Sequence, residues 1–165
     1  MAEEIEIINN IPDDSLGNYD KLKTLDPLVH VRLRPGMYIG KLGDGSQPDD
    51  GIYVLFKEVM DNAIDEFAAG HGNTIEVDVV DGVVSIRDHG RGIPLDYTRK
   101  AASLMNTSGK FDTESYKSSV GLNGVGLKAT NALSSDFFLQ SVRDKSTSTV
   151  TFEQGKFISE SGIIP

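Results

Sequence analysis

The sequence predicts an α+β protein, a two-layer α/β sandwich with helices covering one face of a mixed sheet. Three observations carry this. Residues 51–69 repeat apolar side chains at helical spacing, residues 74–87 alternate on either side of an Asp-Gly pair, and residues 136–160 hold strand-like stretches.

The size fits this class. A chain of 165 residues with a 38% hydrophobic share builds one domain with a core and is too short for two ordinary ones. A net charge of −9 makes it a poor candidate for gripping nucleic acid by itself, since duplex affinity comes largely from Lys and Arg on phosphates. The absence of Cys excludes a disulfide scaffold, a thiolate zinc site and a Cys nucleophile. His30, His71 and His89 are scattered and lack metal-ligand spacing. The apolar runs are short and broken by charges, so no bilayer span and no membrane partner is expected. The acidic start lacks the basic and apolar regions of a signal peptide, and a cytoplasmic location is expected.

Taken in order, residues 1–20 read as an N-terminal arm, with Ile5, Ile7, Ile8 and Ile11 among acids and asparagines. It is either a frayed terminus or an apolar arm that docks on a partner. Asp26-Pro27 is an N-cap and N1 pair opening a short helix that ends before Pro35. A loop rich in Gly, Asp and Pro follows, from Lys41 to Asp50. Ile52, Leu55, Phe56, Val59, Ala63, Ile64 and Phe67 then mark a helix over 51–69, ended by Gly70 and Gly72. Thr74–Val80 alternates, Asp81-Gly82 turns the chain, and Val83–Arg87 returns as a second strand. Asp88–Pro94 is a loop, and a helix is predicted around Tyr97–Asn106. Residues 107–126 are polar and glycine-rich and read as a mobile segment. A helix over Gly126–Leu133 and strands near Phe137–Arg143, Thr147–Phe152 and Lys156–Glu160 complete the chain.

Three groups of residues have the makings of a site. Glu58, Asn62 and Glu66 follow one another at four-residue steps, so they share one stripe of the 51–69 helix, flanked by Asp61 and Asp65. Such a stripe is often a plain solvated face. Here an amide sits at the centre of an acidic row, with Lys57 the only cation nearby, and a carboxylate and an amide oxygen one turn apart suit a water and a hard cation. Asp88 ends a strand before Gly90 and Gly92; it is either a simple Asp-x-Gly turn or an acceptor for the exocyclic amine of a base, the glycines letting a flat ring approach. Gly121-Leu122-Asn123-Gly124-Val125-Gly126 leads into a helix, a pattern that cradles anions. It is neither the dinucleotide fingerprint nor a Walker A, because Leu127 follows Gly126 and Lys128 comes one place late. Lys110 and Lys117 add positive charge nearby.

The ordered set RPGMYIG (34–40), EVMDNAIDE (58–66), DHGRGIP (88–94), GKFDTESYK (109–117) and GLNGVGLKATNALS (121–134) resembles the ATPase domain of bacterial gyrase and topoisomerase IV B subunits, within the GHKL superfamily. The resemblance implies the Bergerat-type ATP-binding fold over 21–165, truncated at its C-terminal end, with the transducer, toprim and later domains absent. It implies ATP as substrate, Mg²⁺ as cofactor and ATP-dependent homodimerisation into a gate. In the full-length protein it implies the topoisomerase A subunit and DNA as partners. Glu58 would be the general base. Asn62 would be the metal ligand. Asp88 would accept from the adenine amine, with Gly92 beside the ring, Ile93 against it, and Glu66 and Arg91 paired nearby. Lys110, Leu122, Asn123, Gly124, Val125 and Gly126 would cover the phosphates. Tyr38 sits where the family's arm meets nucleotide and partner.

Some positions depart from the family. His89 replaces a residue that is often Asp, Asn or Tyr; Asn123 stands where gyrases often have His; and the stretch between Pro94 and Lys110 is short. The family's later Gly-Thr pair and its γ-phosphate Lys are not found before Pro165, so slow hydrolysis is expected of this chain alone. Three other classes compete with this one. A sensor-kinase catalytic domain lacks support, because His30 is followed by Val31 rather than an acid. A non-catalytic nucleotide-binding fragment would respond to ATP only in its partner contacts. A mismatch-repair ATPase does not carry RPGMYIG.

Overall fold

The computed structural model describes residues 25–105 and 124–165. The predicted arm at 1–20, and most of the polar segment at 107–126, lie outside the described residues. The elements run α1 (Pro27–Leu33), α2 (Gly36–Ile39), α3 (Gly51–Ala68), β1 (Ile75–Val80), β2 (Val83–Asp88), a single 3₁₀ turn (Leu95–Tyr97), α4 (Thr98–Ser103), α5 (Gly126–Leu133), β3 (Asp136–Arg143), β4 (Ser146–Glu153) and β5 (Lys156–Ile164).

The local chemistry explains most boundaries. Asp26 caps α1, its Oδ1 accepting from the Leu28 and Val29 amides at 2.9 and 3.2 Å, with Pro27 at the first helical position. Asp81 (φ 50°) and Gly82 (φ 79°) turn β1 into β2. The helix predicted around Tyr97–Asn106 is shorter, a 3₁₀ turn and six helical residues ending at Ser103, where Leu104 is extended.

The α+β class holds, and the strands pair antiparallel as their hairpin turns lead one to expect, but the described strands do not join one mixed sheet. Among the described residues β1–β2 form one antiparallel sheet and β3–β4–β5 another. The reason lies in the connections. Asp81-Gly82, Asp144-Lys145 and Gln154-Gly155 are two-residue turns with positive φ, and only antiparallel neighbours can be joined so tightly.

The helices pack together through α5, which touches α1, α3 and α4. Leu28 and Val31 of α1 bury against Ala129 and Ala132 of α5, with Tyr38, Leu55 and Leu133 at the margin. A second cluster joins Ala102 of α4 to Val150 and Phe152 of β4. Polar ties fix the same contacts: Arg32 donates to the Ala132 carbonyl at 2.6 Å, and the buried Asn131 amide donates to the Ala102 carbonyl at 2.9 Å.

The burial of α3 departs from its apolar pattern. Ile52 and Phe67 are 59% and 56% exposed, while Asp61 and Asp65 are 8% and 2% exposed. The described residues cover α3 chiefly through α2, α5 and β2, so much of its apolar stripe is left facing an open cleft or solvent.

Candidate functional site

That cleft, about 2070 Å³, lies between α3, the β2 edge with its following loop, the start of α5, and the β3 edge. The Gly-, Asp- and Pro-rich loop over 41–50 sets where α3 begins. Asp50, buried just before α3, accepts from the Gly45 and Gln47 amides at 3.0 and 3.1 Å and lies 3.3 Å from Lys41 Nζ. The sequence reading missed this role, although an Asp immediately before a helix is itself a start signal.

From α3, Glu58, Asn62 and Glu66 all reach the cleft wall. The Asn62 Nδ2 donates to the Glu58 carbonyl one turn back at 2.7 Å. This bond orients the amide, whose oxygen Oδ1 is of the type that ligates hard cations. Glu66 clasps the loop after β2: its Oε1 accepts from Arg91 NH2 at 2.9 Å and its Oε2 from Arg91 Nε at 3.2 Å. The Arg91 amide also donates to Oε2, at 3.3 Å. A forked guanidinium on a carboxylate fixes direction as well as distance.

Asp88, Gly92 and Ile93 line the opposite wall. Asp88 Oδ1 accepts from the Gly90 amide at 2.8 Å, a local turn that pins the carboxyl at the strand end. The two glycines here serve packing that the sequence did not reveal. A Cβ at Gly90 would lie 2.8 Å from Asp88 Oδ1 and 3.0 Å from Glu66 Oε2. One at Gly92 would strike the Val142 carbonyl, at the β3 edge, and Ser141 Oγ donates to the Ile93 carbonyl at 2.7 Å. Packing alone therefore already demands glycine at both positions. His89 Nε2 meets Glu76 Oε1 at 2.9 Å, and this bond holds the Glu76 carboxyl below its ordinary range.

The third wall is the start of α5, where Gly124 and Gly126 line the cleft. Val125 occupies the N-cap position and does not line it. Tyr38 also lies outside the lining: its hydroxyl meets His30 Nδ1 at 2.8 Å and its ring packs beside the α1–α5 core. Lys110, Leu122 and Asn123 lie outside the described residues. Lys128, in the sequence only a misplaced Walker lysine, lines the cleft at 4% exposure, and burial pushes its pKa from 10.5 down to about 8. A helical face turned inward at the third residue of α5 is visible only in three dimensions.

Among the described residues no group of three or more His, Asp or Glu is arranged to hold a metal ion. The donor set at Glu58 and Asn62, one carboxylate and one amide, suits a hard cation that takes few protein ligands and fills its shell with water and phosphate oxygens. No described helix is long and apolar enough to cross a membrane.

Residues 48–156 match the family described as histidine kinase-, DNA gyrase B-, and HSP90-like ATPases. The chain is 52% identical over 143 residues to the B subunit of DNA topoisomerase 4 from Borreliella burgdorferi, covering 86% of this chain and 24% of that protein. It is 44% identical over 145 residues to the B subunit of DNA gyrase from Haloferax volcanii, covering 82% and 22%. The 43K ATPase domain of Thermus thermophilus gyrase B, crystallised in complex with an aminocoumarin, matches with a TM-score of 0.62 at 32% identity, over 86% of this chain and 36% of that one. The chain spans under a quarter of the length of these two curated relatives.

Proposed function

The chain belongs to the histidine kinase-, DNA gyrase B-, and HSP90-like ATPase family, and from that premise we propose that it is the ATP-binding part of a type II DNA topoisomerase B subunit. One observation carries this reading. The acid-amide stripe of α3, the aspartate turn after β2 and the glycines opening α5 face a single cleft.

In this reading ATP lies across the cleft with its base at Asp88 and its phosphates toward α5. Asp88 accepts from the exocyclic amine, Ile93 lies against the ring, and the Glu66–Arg91 clasp holds the loop that presents both. The amides at the start of α5 face the phosphates, where unpaired N–H groups and the helix dipole favour negative charge. Tyr38 contributes at the margin, where nucleotide and partner meet. Lys110, Leu122, Asn123 and Val125 belong to the phosphate cover. Bound Mg²⁺, held by Asn62, would neutralise charge on the phosphates. Glu58 orients a water for attack on the γ-phosphorus and takes its proton, while the bond to the bridging oxygen breaks and ADP leaves with both electrons. Full-length partners are a second copy of the chain, the topoisomerase A subunit and DNA, in the cytoplasm.

Base recognition is the discriminating test. Asp88→Ala should weaken ATP by roughly 1.5–3 kcal/mol, as for a hydrogen bond to a charged group, and leave a ribose triphosphate lacking the base almost unaffected. Titration calorimetry with both ligands decides it. Equal losses for the two would remove Asp88 from the adenine site. A density with a non-hydrolysable ATP analogue should place adenine at Asp88 and metal at Asn62.

A further inference from the structure

We propose that Gly126 is a positioning residue for the Glu58 carboxylate: its missing side chain forms the seat against which that group rests. The inference deepens the ATP-hydrolysing reading and rests on it.

The backbone does not require glycine here. Gly126 opens α5 and has none of the positive φ angles that Gly82, Gly92 and Gly124 carry. Space requires it. A Cβ at this position would lie 2.5 Å from Glu58 Cδ and 2.8 Å from Glu58 Cβ, with Oε2 closer still. Carbon atoms without a bond between them rest at about 3.5–4.0 Å. Rotating the carboxylate cannot relieve all of this, because the Glu58 Cβ is fixed to the backbone of α3. The helices would have to part as well.

Their spacing is held from elsewhere. Thr130 Oγ1 lies 3.4 Å from the Leu55 carbonyl of α3 and 3.1 Å from the Gly126 carbonyl, bridging the two helices one turn beyond the contact. The Glu58 backbone is held by the Asn62 amide. These ties resist the parting of the helices, so the carboxylate, the freer group, takes the larger share of the displacement. That group must stay within hydrogen-bond reach of the attacking water, and a misplacement of about 1 Å costs on the order of 100-fold in rate.

The test compares Gly126→Ala, Glu58→Ala, the two together, and Gly126→Ala with Glu58→Asp, all in the full-length subunit. Gly126→Ala is expected to lower ATP turnover about 100-fold while changing the Kd of a non-hydrolysable ATP analogue less than about tenfold, a split that marks lost transition-state rather than ground-state contact. Its Tm should fall by several degrees. Glu58→Ala should restore at least half of that loss, because of the three nearest contacts it removes those to Cδ and Oε2 and keeps the one to Cβ. If Gly126→Ala alone does not fold, both double variants should, and their failure would overturn the inference. So would full turnover in Gly126→Ala, equal losses of turnover and binding, or a Tm loss of the same size with and without Glu58. Should Glu58→Ala itself keep turnover, the hydrolytic reading falls and the positioning role with it. A surviving Tm coupling would then report packing alone.

Discussion

At the scale of single residues, the side chains of the cleft differ in what they hold. Asn62 uses its amide nitrogen on the Glu58 carbonyl, and Glu66 uses both oxygens on Arg91. Glu58 presses against the start of α5 and lines the cleft, and the proposed hydrolysis assigns it the water. Glu58→Ala is therefore expected to leave nucleotide binding nearly intact and lower turnover about 10²–10⁴-fold, read from steady-state kinetics beside analogue binding. A parallel loss of affinity would assign Glu58 to binding. Lys128 gives a pH prediction. Burial lowers its folded pKa to about 8, from 10.5, so between those values the unfolded chain holds the proton that the folded chain has released. Stability then rises with pH through that window. Wild type should gain on Lys128→Met as the buffer moves from about pH 8 toward 10.5. Parallel melting curves at all pH values would contradict it.

At the scale of elements, sequence and structure agree where the signal is local. The helix at 126–133, the Asp81-Gly82 hairpin and the Asp26 cap fall where their residues place them. Asp144-Lys145 was not legible as a turn, since neither residue is glycine and both adopt positive φ, 51° and 62°. Pairing of eight-residue strands over its whole length outweighs the modest local cost of two left-handed residues. The β1–β2 hairpin depends more on its turn, because its strands are short and largely exposed. Gly82→Ala, at φ 79°, should therefore cost about 1 kcal/mol and lower Tm by about 2–4 °C. An unchanged melt would mean that the hairpin takes no part in the cooperative unit.

At the scale of the whole molecule, charge and packing decide what the chain does alone. With a net charge of −9 and a pI near 4.7, it is expected not to retard duplex DNA at physiological salt, with or without ATP. A shift in a gel at micromolar protein would show a DNA-gripping surface of its own. By itself the sequence determined the class of fold, the positions of α1, α3, α5 and the β1–β2 hairpin, and the acid, amide and glycine residues that meet at the cleft. It could do so because helical spacing, caps and Asp-Gly turns act between residues close in the chain. Only the tertiary structure decided that the antiparallel strands divide into two separate sheets, that Tyr38 lies beside the core rather than in the cleft, that Lys128 turns inward, and that Gly126 yields its space to Glu58. Each of those is set by atoms from distant segments competing for one volume, and close packing has no signature in the spacing of residues along a chain.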